Sequence, residues 1–405
     1  MENEDRVIAA VEAEVIADRT ERCSNLPITA DQVKLTALKG IMQNEESEFN
    51  NESAVCDYTP NMRAGFISAG SLVSAIGCIS NLLLLYVFIT KTRRTYPFQT
   101  LLAFLDFMLC ALYIYCFGFL AMAVELRIAF LYNLVMDTNV TTLVMSRIVQ
   151  LAIPYTLIAN SADKLTMITG RSSDSGTCFH RRLLVIGLLI LLATFLRING
   201  FLTLEIMHEK SCDIFHSKWI THRQLDEAEA EMWRVFENVL TFFHTFVSFV
   251  VLCALNIIVV LKLRVEHRRA RRQSTSPAQL FSTSASRLQA AQEIREQQHR
   301  LRCAVKTTVV IITAYLACNS VNFLLYLMET FRPTWVYEED GSFRSQYVFI
   351  SDLNSNLFVL SSTIRLFIYY KYNSDIRQHI KSLTFVGYFI SDQKRKPDVL
   401  LKVDV

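Results

Sequence analysis

Seven blocks of apolar residues, each longer than about 20, dominate this chain: Gly65 to Ile89, Pro97 to Met122, Leu143 to Ile168, Leu183 to Leu204, Val235 to Leu261, Thr307 to Met328 and Tyr347 to Tyr370. About 20 apolar residues in a helix match the hydrocarbon thickness of a bilayer. The 405 residues are 52% hydrophobic and only 20% charged, with 27 Phe, a composition too apolar for a water-soluble domain of this length. Glycine and proline are sparse and no internal repeat is present. The expectation is an all-α membrane protein built as a seven-transmembrane helix bundle, whose odd number of crossings puts the two termini on opposite sides.

Basic residues in the short connections set the orientation. The first connection carries Lys91, Arg93 and Arg94, and the third Arg171, Arg181 and Arg182. The fifth, 262–306, holds eleven Lys or Arg against Glu266, Glu293 and Glu296. These three are expected to face the cytoplasm and its anionic inner leaflet. The alternate connections are acidic, with Asp226, Glu227, Glu229 and Glu231 in one and Glu338, Glu339 and Asp340 in another. The N-terminus is therefore predicted outside and the C-terminus inside. Two glycosylation sequons, at Asn51 and Asn139, fall on the predicted outer side.

Residues 1–63 are expected to form an acidic, mostly disordered extracellular tail, with 13 acids against 6 bases and no signal peptide. The bundle is assigned to 64–372. A short amphipathic helix and a cytoplasmic tail are assigned to 373–405.

Charges inside the apolar blocks need partners. Arg365 lies deep in an otherwise apolar half of the seventh block, where a lone guanidinium costs a few kcal/mol. The only acid in the middle of another block is Asp106, so the two are expected to pair. The alternative is that Arg365 snorkels to water at the inner face, since Lys371 follows six residues later. Asn81 stands among leucines in the first block, where a buried amide normally bonds a neighbouring helix. No metal-ligand cluster, phosphate loop or nucleophile elbow is present. The pattern points to no enzyme, no cofactor and no nucleic-acid partner, and leaves ligand binding with conformational transmission.

Asn81 in the first block, followed by Leu102-Ala103-Phe104-Leu105-Asp106 in the second, resembles the rhodopsin-like (class A) G-protein-coupled receptor family. Asp163-Lys164-Leu165 stands where that family carries D/E-R-Y. Cys318-Asn319-Ser320-Val321 occupies the place of C-W-x-P, and Arg365 to Tyr369 that of N-P-x-x-Y. In detail the chain looks most like invertebrate, nematode-type FMRFamide neuropeptide receptors. The resemblance implies a plasma-membrane receptor for an extracellular peptide that acts on a heterotrimeric G protein through Asp163, Lys164, Asn256 and Tyr369. Arg365 replaces the asparagine that helps line the family's sodium pocket, which implies no sodium regulation. Cys212 is the disulfide candidate in the second outer loop, but the usual partner position holds no cysteine, and Cys23, Cys56 and Cys116 remain open as partners.

Ser146 and Val359 stand where amine receptors carry an aspartate and opsins a lysine, so neither an amine nor retinal finds its anchor. Arg147, Arg234, Glu237, His244, Glu329 and Asp352 are expected to ring an outer cavity, with Trp335 and Tyr337 on its lid. Arg234 with Glu237 at i to i+3 is the internal-pair alternative. The acidic outer loops favour a cationic peptide. The rival readings are a transporter or channel-like bundle around Asp106 and Arg365, and a seven-helix binding protein that does not signal.

Overall fold

The computed structural model describes residues 61–91, 96–169, 175–208, 213–223, 225–274, 285–336 and 344–383. All belong to one unit, Thr59–Val405. Asn51, Cys23, Cys56, Cys212, Tyr337 and most of the two tails lie outside the described residues.

Among the described residues, six helices are long and apolar enough to cross a membrane: Gly65–Thr90, Pro97–Glu125, Asn139–Ile168, Phe179–Thr203, Glu227–Val265 and Arg302–Phe331. They make the chain a multi-pass helical membrane protein. The seventh block is divided. Ser345–Thr363 and Arg365–Tyr372 meet at a turn on Ile364, and the first piece carries Asp352, Asn354, Ser355 and Asn356 along its length. These polar groups serve the neighbouring helices: Asn356 Nδ2 donates to the Phe66 carbonyl at 3.0 Å and Thr363 Oγ1 to that of Val73 at 3.2 Å.

Each span buries one face. On the first, Gly70, Ser74, Gly77 and Asn81 recur at helical spacing and are buried, while Leu72, Ile76, Ile79, Leu82 and Tyr86 form the opposite, exposed stripe. Small residues let backbones approach, as they do generally in membrane bundles. The fourth span exposes Leu184, Leu188, Leu191, Leu192 and Phe195, the face expected of a helix bathed in lipid. The common core joins Leu84 and Phe88 to Leu102 and Leu105, Leu151 and Leu157, Leu252, Ile312 and Tyr369.

Two spans widen through π-helical turns, Ile114–Phe119 in the second and Phe242–Val247 in the fifth. The connection between the fourth and fifth spans departs from the all-helical expectation. There β1 (Leu204–His208) pairs antiparallel with β2 (Lys218–His222). A short helix, Ala129–Asp137, holds this hairpin through Asp137, which accepts from Lys218 Nζ at 2.7 Å, and through Tyr132, packed on Phe215. Burial pushes the Tyr132 phenol above its ordinary pKa. After the seventh span, Asn373 Oδ1 accepts from the backbone N–H of Asp375 and Ile376, opening the helix Ser374–Leu383. Ile376 and Ile380, one turn apart, are its buried residues.

Candidate functional site

A cavity of about 190 Å³ opens between the second, third and seventh spans. Leu109, Leu112, Tyr113 and Cys116 line it at i, i+3, i+4 and i+7 of the second span, and Leu143, Ser146, Arg147 and Gln150 repeat the same spacing on the third. Ser355, Phe358 and Val359 complete the wall. The π-helical turn of the second span begins at Ile114, beside these residues, and carries Cys116 and Phe117 into the lining. Tyr113 donates its hydroxyl to Asn356 Oδ1 at 2.6 Å, and Gln150 Nε2 donates to Ser146 Oγ at 3.2 Å. Pro154 lies one turn beyond Gln150 and has no N–H to offer that residue's carbonyl.

The floor of the cavity is one helical turn from the buried charge centre. Leu109 follows Asp106 by three residues, and Val359 precedes Ser362 by three. Asp106 and Arg365 are sealed from solvent, 0% and 1% exposed, and Arg365 Nη1 donates to Asp106 Oδ2. Ser362 Oγ donates to the other carboxylate oxygen at 2.8 Å. Asn81 Nδ2 donates to the carbonyls of Gly77 and Ser362 at 3.0 and 3.3 Å, which adds the first span. The snorkelling alternative for Arg365 is thereby set aside.

The residues expected from the sequence to ring a cavity take separate places. Arg147 lines the main cavity; His244 lines a separate space of about 20 Å³, room for roughly one water. Glu237 is not in either lining. It accepts from Arg197 Nη1 at 2.8 Å and Asn199 Nδ2 at 3.0 Å, while Arg234 pairs with Glu231. Glu329 accepts from the Tyr347 hydroxyl at 2.6 Å, and Asp352 from Arg63 Nε at 3.0 Å. Each of these three acids has an internal cation or hydroxyl as partner. Stacked Phe246, Phe249 and Phe323 fill the space between the fifth and sixth spans. Trp335 is exposed.

Where the third span meets the start of the fourth, Asp163 Oδ1 accepts from Arg182 Nε at 2.8 Å, and the buried Lys164 ammonium lies 5.2 Å from the centre of the Tyr96 ring. Asn256 Nδ2 donates to Thr313 Oγ1 at 3.0 Å, joining fifth and sixth spans, and Tyr369 packs edge-on against Phe88. All four residues are engaged within the bundle. Asn139 begins the third span and is half-buried.

Sequence reasoning missed several polar links between spans. Gln99 Nε2 donates to Asn160 Oδ1 at 3.1 Å, and Asn354 Nδ2 to Asn322 Oδ1 at 3.2 Å. Amides inside apolar blocks were the signal, the same one that singled out Asn81. Among the described residues no group of three His, Cys, Asp or Glu is placed to hold a metal ion.

No protein-family model matches the chain, and no curated protein matches it in sequence. A solved structure, that of squid rhodopsin, is similar at 13% sequence identity with a TM-score of 0.56, over 85% of this chain and 94% of that one. So low an identity speaks for the backbone alone, and the arrangement of helices described above is similar to that of squid rhodopsin.

Proposed function

We propose that the chain is a G-protein-coupled receptor whose ligand enters the cavity between the second, third and seventh spans. One observation carries this reading. The cavity floor adjoins, within one helical turn, the charge centre that ties the first, second and seventh spans together. A ligand pressing on Leu109 or Val359 acts on the turns that hold Asp106 and Ser362. A bias between two bundle arrangements needs such differential contact. The likeness of fold to squid rhodopsin supports the same class.

The finer reading is a plasma-membrane receptor with its N-terminus outside, glycosylated at Asn51, taking a neuropeptide and coupling through Asp163, Lys164, Asn256, Tyr369 and the basic connection 262–306. The acidic outer connections favour a peptide of positive net charge. A seven-helix protein that binds without signalling is the second reading. It is favoured by Lys164, whose ammonium lacks the planar fork of an arginine and is buried over Tyr96.

Guanine-nucleotide exchange on membranes holding the full chain, with a panel of peptides and a Lys164→Arg variant, tests both. Peptide-driven exchange in the native chain is the expected outcome. Exchange only in the variant supports the non-signalling reading, and silence in both, with surface expression verified, sinks the receptor assignment.

A further inference from the structure

The main cavity is apolar on most of its wall and positively charged on one side. Arg147 is the one ionised side chain in its lining, and no acid pairs with it among the described residues. The acids nearby are taken. Glu237 holds Arg197 and Asn199, and Asp352, one turn outward of Ser355 on the same helix face, holds Arg63. Arg197 lies close enough to Arg147 for the two charges to repel, is 7% exposed, and has an Nε without a hydrogen-bond partner among the described residues. Of these two guanidinium groups only Arg197 holds a carboxylate, Glu237, and an uncompensated charge inside a membrane bundle is costly.

We infer that this cavity receives a carboxylate carried on a compact apolar or aromatic body, with Arg147 as its counter-ion. This rests on the proposed reading of the cavity as the ligand site, and it assigns the entering group a sign opposite to that of a cationic peptide anchor. Arginine suits the role because its fork meets both oxygens of a carboxylate. Ser146 adds a donor: its oxygen accepts from Gln150, which leaves the hydroxyl proton for a ligand. Leu109, Phe117 and Phe358 face the apolar body. At about 190 Å³ the space falls below the roughly 300–1,000 Å³ of sites for drug-sized ligands. It fits a small free acid or the last residue of a peptide with a free C-terminus, two sources of one chemistry.

The test is thermal melting of the full chain in lipid nanodiscs with four probes: phenylpropionate, its neutral amide, a short peptide ending in phenylalanine with a free carboxylate, and the same peptide amidated. At least one acid raises the melting temperature and its amide does not; which acid does so identifies the source. Arg147→Gln weakens the apparent affinity for that acid by roughly tenfold or more, the scale of one charge-assisted hydrogen bond, and Arg147→Lys recovers part of it. Should Arg147→Gln fail to fold, Ser355→Phe, which fills the cavity from the seventh span, abolishes the acid's effect. Equal stabilisation by acid and amide overturns the inference. So does an undiminished acid effect in Arg147→Gln or Ser355→Phe, or no effect of any acid. Nucleotide exchange separates the two readings: acid-dependent stabilisation without exchange overturns the receptor assignment alone, and exchange driven by amidated peptides without acid stabilisation overturns the carboxylate assignment alone.

Discussion

Burying Asp106 and Arg365 together exchanges two hydrated ions for one contact in a water-poor interior, so the balance depends on both being present. Removing one partner leaves the other unpaired, at a cost of about 3–5 kcal/mol, whereas apolar residues of similar shape in both places cost far less. Arg365→Met and Asp106→Leu are therefore each expected to lower the melting temperature in detergent sharply, and the double variant to regain most of the loss. Independent, additive losses would mean that the two side chains do not depend on each other. This pairing was legible in the sequence because each charge stood alone in an apolar block. The fates of Glu237, Glu329 and Asp352 were not: their partners, Arg197, Tyr347 and Arg63, come from other turns or other spans, and spacing along the chain holds no record of them.

Helix positions followed from apolar length, but departures inside the helices did not. The π-helical turns at Ile114–Phe119 and Phe242–Val247 interrupt runs of apolar and aromatic residues that read as continuous helix. The hairpin of β1 and β2 depends on Tyr132 and Asp137 some eighty residues away. Close packing of the first span is likewise invisible until its neighbours are placed. A Cβ on Gly70 would lie 2.1 Å from Asn356 Oδ1 and 2.2 Å from the Tyr113 hydroxyl, the two ends of one hydrogen bond beside the main cavity. Gly70→Ala is expected to break that bond and cost about 1–3 kcal/mol, as overpacking generally does. Thermal melting checks the stability loss, and an unchanged melting temperature would show that the first and seventh spans part without strain.

At the scale of the molecule, the fourth span buries little of itself and shows a broad apolar face. Leu188→Arg, in the middle of its exposed face, is expected to reduce membrane insertion by about 2.5–3.5 kcal/mol, read as the inserted fraction in a translocation assay. Insertion equal to the native chain would mean that this face meets protein or water. The helical membrane-spanning class was legible in hydropathy, because bilayer thickness sets the length of apolar helices, and a backbone like that of squid rhodopsin is compatible with only 13% identity. Of the lining of the candidate cavity only Arg147 was named from the sequence as a binding residue, and Ser146 and Val359 only as positions without an amine or retinal anchor, because a cavity is what several helices leave unfilled. The seam at Ile364 adds a mechanical constraint. Arg365 is the first residue below it, so the inner piece of the seventh span is fastened to the second span by a single rivet set just under a joint. The preceding piece is tied to the same carboxylate by Ser362, so bending at the joint strains that hydrogen bond, and sliding the Arg365 piece away would pull opposite charges apart without water to receive them.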